Sequence, residues 1–317
     1  MSARSSRRVL YAALLGNVLV TFTKFGAAVF TGSAAMLSEA VHSLVDTGNE
    51  VLLLYGLRRA AVPADEEHPF GHGRELYFWS FVVALVIFGV GAGLGIYEGI
   101  LHVITPVKIE RPVVSYVVIG LALVFEGGSW RVAFKEFRAA KGKDDGYLET
   151  ARLSKDPTSF MVLFEDSAAV IGLLIALAGT IATETLHLPV LDGVASIAIG
   201  ILLALVAAFL ARESKGLLIG EPAGRELVAD ICRIARAHPG VERSNGLFSV
   251  HLGPRQIVCA ISVDFQDDIP AGEVERIVDA VEERVRGAHP EIVSLLIKPQ
   301  SEEAFRRSHT ARPAVEE

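Results

Sequence analysis

The chain has 317 residues, 51% of them hydrophobic and 21% charged, and 30 Lys and Arg against 37 Asp and Glu give a formal net charge of −7. Its mean hydropathy of +0.43 exceeds that of ordinary water-soluble domains, and the acidic balance disfavours a nucleic-acid partner. With only Cys232 and Cys259, neither a disulfide framework nor a thiolate metal cluster is available, so any metal site must draw on His, Asp, Glu or Asn.

Apolar stretches near 9–30, 37–57, 77–100, 112–132, 160–182 and 190–210 each match the roughly 20 helical residues that a bilayer core requires. Six such stretches in succession predict an α-helical, multi-pass integral membrane protein with six transmembrane helices, in contact with membrane lipid. The first is too long for a removable signal peptide and lacks the small-residue cleavage site. Arg4, Arg7 and Arg8 precede it, Arg58, Arg59 and Arg74 follow the second, and seven Lys and Arg from Arg131 to Lys155 surround the loop after the fourth. The opposite loops hold only Lys108 and Arg111, so both termini are expected in the cytoplasm, with the cell (inner) membrane as the location.

The loop after the fourth stretch ends in Asp156-Pro157, and the proline suits the first turn of the next helix because its missing N–H is not needed there. Gly89, Gly91, Gly93, Gly95 and Gly99 crowd the third stretch and predict close helix–helix approach. Beyond Arg212 the pattern becomes that of a soluble α+β domain. Leu227, Ile231 and Ile234 mark one helix face, and Val274, Ile277, Val281 and Val285 another. Alternation at Phe248, Val250 and Leu252, from Ile257 to Phe265, and at Val293, Leu295 and Ile297 predicts three strands, in the order helix, strand, strand, helix, strand. The domains are therefore read as 1–212, transmembrane, and 213–300, cytoplasmic, with a disordered tail over 301–317.

An ionisable group inside a span is costly enough to imply a function. His42 and Asp46 stand one helical turn apart in the second stretch, so both project from one face and can reach the same ion. Imidazole nitrogen and carboxylate oxygen suit a borderline divalent cation such as Zn2+. In the fifth stretch Glu165 and Asp166 lie about two turns into an apolar helix, where adjacent carboxylates call for a cation or a shared proton. With Asp166 facing His42 and Asp46, and Glu165 or water as a fourth ligand, a tetrahedral site is complete. The same groups take protons when the metal leaves, because protonation competes with coordination. In the loop after the second stretch, Asp65, His68 and His72 form a second candidate cation site.

The motifs LSEAVHSLVD (37–46), HPFGHGR (68–74), DGVASIAIG (192–200) and ARESKGLLIGE (211–221) resemble, in order, signatures of the cation diffusion facilitator (zinc transporter) family. The resemblance runs over nearly the whole chain and is greatest to the branch containing the mitochondrial zinc exporter of animals. It implies six transmembrane helices, a cytoplasmic ferredoxin-like, metallochaperone-type domain and a homodimer. The implied activity is efflux of a divalent metal, Zn2+ first, by metal/proton antiport, through a site between the second and fifth spans. On this resemblance His42 and Asp46 match the span-two ligands and Asp166 the span-five aspartate. The family's usual span-five histidine is replaced by Val162, so Glu165 is the candidate substitute, and a harder site opens a preference for Mn2+, Fe2+ or Co2+.

The family's zinc ligands in the final strand are absent from Ser294 to Pro299, and of the remaining His238, His251 and His289, the two in His-Pro turns, His238 and His289, are read as surface residues. No complete metal site is expected in that domain, and dimerisation is its expected role. No prosthetic group is called for. No His-Glu-x-x-His run is present, and an enzyme is not expected. The alternative is a membrane protein of the same fold that senses metal or scaffolds a partner without transporting.

Overall fold

The computed structural model describes residues 3–31, 34–106, 112–140, 146, 150 and 154–310. They fall into two compact units, one comprising Met1–Val62 with Arg74–Leu218, the other Pro63–Gly73 with Ile219–Glu317.

The first unit is helical. Helices α1 (Ala3–Thr31) and α2 (Ala34–Ala60) precede α3 (Glu75–Val86), which runs through a π-helical stretch (Ile87–Ala92) into α4 (Gly93–Ile104). Helices α5 (Pro112–Ala140), α6 (Pro157–Leu186) and α7 (Val190–Ile219) follow. Among the described residues, four segments are long and apolar enough to cross a membrane: Glu75–Ile104, Val113–Ala139, Phe160–Leu186 and Val190–Ile219. The first two predicted spans fall on α1, which contributes the shorter apolar stretch Leu14–Gly26, and on α2, whose apolar run is broken by Asp46 and Glu50.

Large apolar side chains point outward from these helices, among them Phe22 (73% exposed) and Leu205 (67%), whereas Asn17, Lys24, Asn49, Glu50, Glu126 and Asp166 are buried. That inversion of the water-soluble pattern suits a hydrocarbon surround. Helix α1 packs along α2 and α5, and α5 along α6. The apolar core joins Leu10, Leu53, Tyr77, Phe137, Phe160, Val162 and Leu210. Asp156 caps α6, accepting from the Thr158 N–H at 3.2 Å, and Pro157 occupies the first turn, as its fixed φ favours.

The expectation for the third-span glycines holds for part of the row. A Cβ on Gly99 would lie 2.7 Å from Ile197, and one on Gly193 2.8 Å from the Gly99 carbonyl oxygen, so α4 and α7 meet backbone to backbone. Gly89, by contrast, has open space around it.

The second unit orders its elements as α8 (Arg225–Arg236), β1 (Val241–Gly253), β2 (Gln256–Phe265), α9 (Ala271–Ala288) and β3 (Ile292–Pro299). Strand β2 is central, antiparallel to β1 and parallel to β3. Alternate β2 residues Ile257, Cys259, Ile261 and Val263 share a core with Ile231 and Ala235 of α8 and Ile277, Val281 and Val285 of α9. The period-2 and period-3.6 stripes thus meet in one apolar layer.

Two expectations need correction here. The segment after Ser301 is not without structure, because Glu302–Thr310 forms helix α10. Phe305 lies over Gly246, where any Cβ would come within 2.6 Å of its ring, and the Glu302 N–H donates to Asp264 at 3.0 Å. Residues 311–317 of the predicted tail lie outside the described residues. Nor are both histidines of the His-Pro turns at the surface: His289 is 18% exposed, held by Asp230 at 2.8 Å and near Glu291 at 3.6 Å, and His251 is buried as well.

Candidate functional site

Asp46, Asn49 and Glu50 rise along one side of α2 at intervals of three and four residues, so they share a face. Asn49 and Glu50 are completely enclosed, at 1% and 0% exposure. From α1, the Asn17 amide donates to Glu50 Oε1 at 2.6 Å, and Thr21 meets Thr47 at 3.3 Å, which makes the α1–α2 seam polar. From α6, Glu165 Oε1 accepts from Asn49 Nδ2 at 3.2 Å. Its neighbour Asp166, 2% exposed, accepts from Ser129 Oγ of α5 at 2.7 Å, and Glu126 lies buried one turn before that serine.

Asp46 is near enough to Glu50, Glu165 and Asp166 for its charge to act on each, and Glu126 acts in turn on Glu165 and Asp166. Three helices therefore bring five carboxyl groups together inside an apolar unit. Repulsion and desolvation make such a cluster untenable in its fully charged form unless cations or protons are held there. Of the four predicted ligands, Asp46, Glu165 and Asp166 stand in this cluster. His42 lies on α2 one turn before Asp46, and its side chain is outside the described residues. Val162 packs in the apolar core, so the usual histidine position is filled by packing rather than by a donor.

Three buried acceptor atoms here have no hydrogen-bond partner among the described residues: Asn49 Oδ1, Glu50 Oε2 and Glu165 Oε2. Asn17, Asn49, Glu50, Glu126 and Ser129 were not singled out from the sequence. Glu50 and Glu126 carried a usable signal, since each is an ionisable group within a predicted span. The amides and the serine carried none, because uncharged polar residues are ordinary in helices and their role arises only where helices cross.

The loop cluster is compact. Asp65, His68 and His72 bring their ligand atoms within 4.8 Å of one another. Asp65 accepts from the His68 backbone N–H at 2.7 Å, His72 Nε2 lies 2.9 Å from Asp65 Oδ2, and the two imidazole rings are 4.2 Å apart. The His72 hydrogen bond, with the His68 N–H second, holds the Asp65 carboxyl well below its ordinary 3.8, at about 2. Gly71 turns the chain at φ 82°, a conformation that glycine adopts without steric cost. Gly73 then passes so close to the β1–β2 hairpin that a Cβ would fall 2.5 Å from the Leu252 carbonyl oxygen.

Long outward-facing apolar helices around buried carboxylates define a multi-pass membrane protein of the ion-transporting class. The cation efflux transmembrane domain family matches residues 10–219, and the chain belongs to that family, the cation diffusion facilitators. It is similar to the mitochondrial proton-coupled zinc antiporter SLC30A9 of Mus musculus, 34% identical over 259 residues, 81% of this chain and 46% of that protein. Metal tolerance protein C4 of Arabidopsis thaliana is 32% identical over 261 residues, 82% of this chain and 57% of that protein. The cation-efflux pump FieF of Cronobacter sakazakii is 27% identical over 286 residues, 90% of this chain and 89% of that protein. The chain thus spans about half the length of the antiporter it matches. Its relatives are cation transporters and not enzymes.

Proposed function

We propose that the protein exports a divalent metal cation, Zn2+ first, in exchange for protons, with His42, Asp46, Glu165 and Asp166 as ligands. The observation that carries this reading is the grouping of Asp46 and Glu165 with the buried Asp166 where α2, α5 and α6 meet, a concentration of charge that needs a partner. A divalent cation supplies that partner, and protons replace it when it leaves, because one set of oxygens cannot hold both. The names of the antiporter and of the efflux pump support the same direction.

In this reading α1 and α2 complete a set of six spans, and both termini lie in the cytoplasm, with the cell membrane as the location. Residues 213–300 form a ferredoxin-like unit that pairs two copies of the chain. Supporting the pairing, Phe248, Ala260 and Leu296 are successive partners across the three strands, and Phe248 and Leu296 are exposed at 43% and 59%. Asp65, His68 and His72 hold a second cation at the membrane-proximal loop.

The test is uptake of Zn2+, Mn2+, Fe2+ and Co2+ into proteoliposomes under an imposed pH gradient, for the native protein, Asp46→Ala and Asp166→Ala. Gradient-driven flux that falls at least tenfold in both variants is the expected outcome. Metal binding without gradient-driven flux in the native protein would instead favour a sensing or scaffolding role.

A further inference from the structure

Asn49 is a side chain through which α2 touches the α6 carboxylates. Its amide nitrogen donates to Glu165 Oε1 at 3.2 Å, so it fixes one carboxylate oxygen. Its own carbonyl oxygen, on a residue only 1% exposed, has no donor among the described residues, and neither has Glu165 Oε2. A buried acceptor left without a donor costs roughly 1–3 kcal/mol. Native structures rarely tolerate two such atoms on one hydrogen-bonded pair unless a ligand satisfies them. With carboxylates close on both helices, and no donor to these two atoms among the described residues, a cation fits them and an anion does not. The usual imidazole position at this corner is occupied by Val162, packed in the apolar core.

From this geometry we infer that Asn49 is a specificity-determining residue of the transport site, positioning Glu165 and adding its amide carbonyl as an oxygen ligand. The inference rests on the transport reading above and goes beyond it by naming what sets the choice of metal. Amide and carboxylate oxygens favour hard divalent cations such as Mn2+, whereas imidazole favours Zn2+. Asn49 shifts the site towards the hard end of its substrate range.

The experiment uses the full chain in proteoliposomes, measuring Mn2+ and Zn2+ flux under one pH gradient, with calorimetric titration of each metal in detergent. Asn49→Leu removes both polar atoms at similar volume, Asn49→Asp keeps an oxygen ligand, and Glu165→Ala and the double variant Asn49→Leu/Glu165→Ala close a cycle. The expected result is a loss of Mn2+ flux and affinity of at least tenfold in Asn49→Leu, with Zn2+ reduced less, so that the Mn2+/Zn2+ ratio falls at least threefold. Asn49→Asp retains that ratio, and the double variant falls no further than twofold below Glu165→Ala. An unchanged ratio in Asn49→Leu, or losses that multiply in the double variant, would overturn the inference and leave Asn49 a packing residue. Should Asn49→Leu not fold, as judged by its melting temperature, the same criteria apply to Asn49→Ser. Absence of gradient-driven flux in the native protein would refute the transport reading itself, while calorimetry would still decide the role of Asn49.

Discussion

On α6, Val162 and Glu165 stand less than one turn apart, and they do different work. Val162 fills the apolar core, while Glu165 meets Asn49 and keeps one oxygen without a donor among the described residues. Glu165→Ala is therefore expected to lower gradient-driven Zn2+ flux at least tenfold, and near-normal flux with unchanged metal affinity would remove Glu165 from the site. These acids were legible in the sequence because an apolar span makes any charge conspicuous. Asn17, Asn49 and Ser129 were not, since their partners stand on other helices. At the loop, Asp65 has its carboxyl held at about 2 by His72 and the His68 N–H, so its folded pKa is depressed. Its pairing is in full force above its ordinary 3.8 and fades only as pH falls towards 2. On the proposal that the loop holds a cation, Asp65→Asn should weaken Zn2+ binding there, a loss that calorimetric titration against the native chain would check. The buried Cys259 thiol is pushed up to about 11 by burial, with Cys232 a smaller cause. Both cysteines should resist maleimide labelling at neutral pH in the folded protein and react in denaturant.

Among the elements, the α4–α7 contact leaves no room for added volume. A Cβ at Gly193 would meet the Gly99 carbonyl and the Val103 nitrogen, both at 2.8 Å, and backbone atoms cannot turn aside as a side chain can. Gly193→Val is expected to destabilise the protein by about 1–3 kcal/mol, seen as a lowered melting temperature in detergent, while Gly89→Ala stays within about 1 kcal/mol. The order α8, β1, β2, α9, β3 was legible because each element carries a sustained apolar period. Helix α10 escaped notice because one residue, Phe305, anchors it, and a single apolar position has no period. Its remaining support is electrostatic, from Glu302–Arg306 and Glu303–Arg307 one turn apart and from Arg243 on β1. Phe305→Ala should accordingly raise hydrogen exchange across 302–310 and leave β2 protected.

At the scale of the whole molecule, the charge that a membrane forbids is gathered inside one unit, and the soluble α+β sheet forms the other. The sequence made this division visible as a change of period after Arg212, although α7 continues to Ile219. What no local pattern announces is that Pro63–Gly73, lying between α2 and α3 in the chain, belongs with the sheet unit. That membership depends on one backbone approach, Gly73 against the β1–β2 hairpin, and spacing along the chain gives no hint of it. The sheet unit is consequently assembled from two distant pieces of the nascent chain. When Gly73 leaves the ribosome, the hairpin it packs against is still unmade, and all of Arg74–Leu218 must be synthesised first, on the order of ten seconds at common elongation rates. A chain that stops at residue 218 should keep its helices yet show faster hydrogen exchange at His72 and Gly73, which are buried in the complete chain. The buried end of the loop would then serve as a marker of finished synthesis.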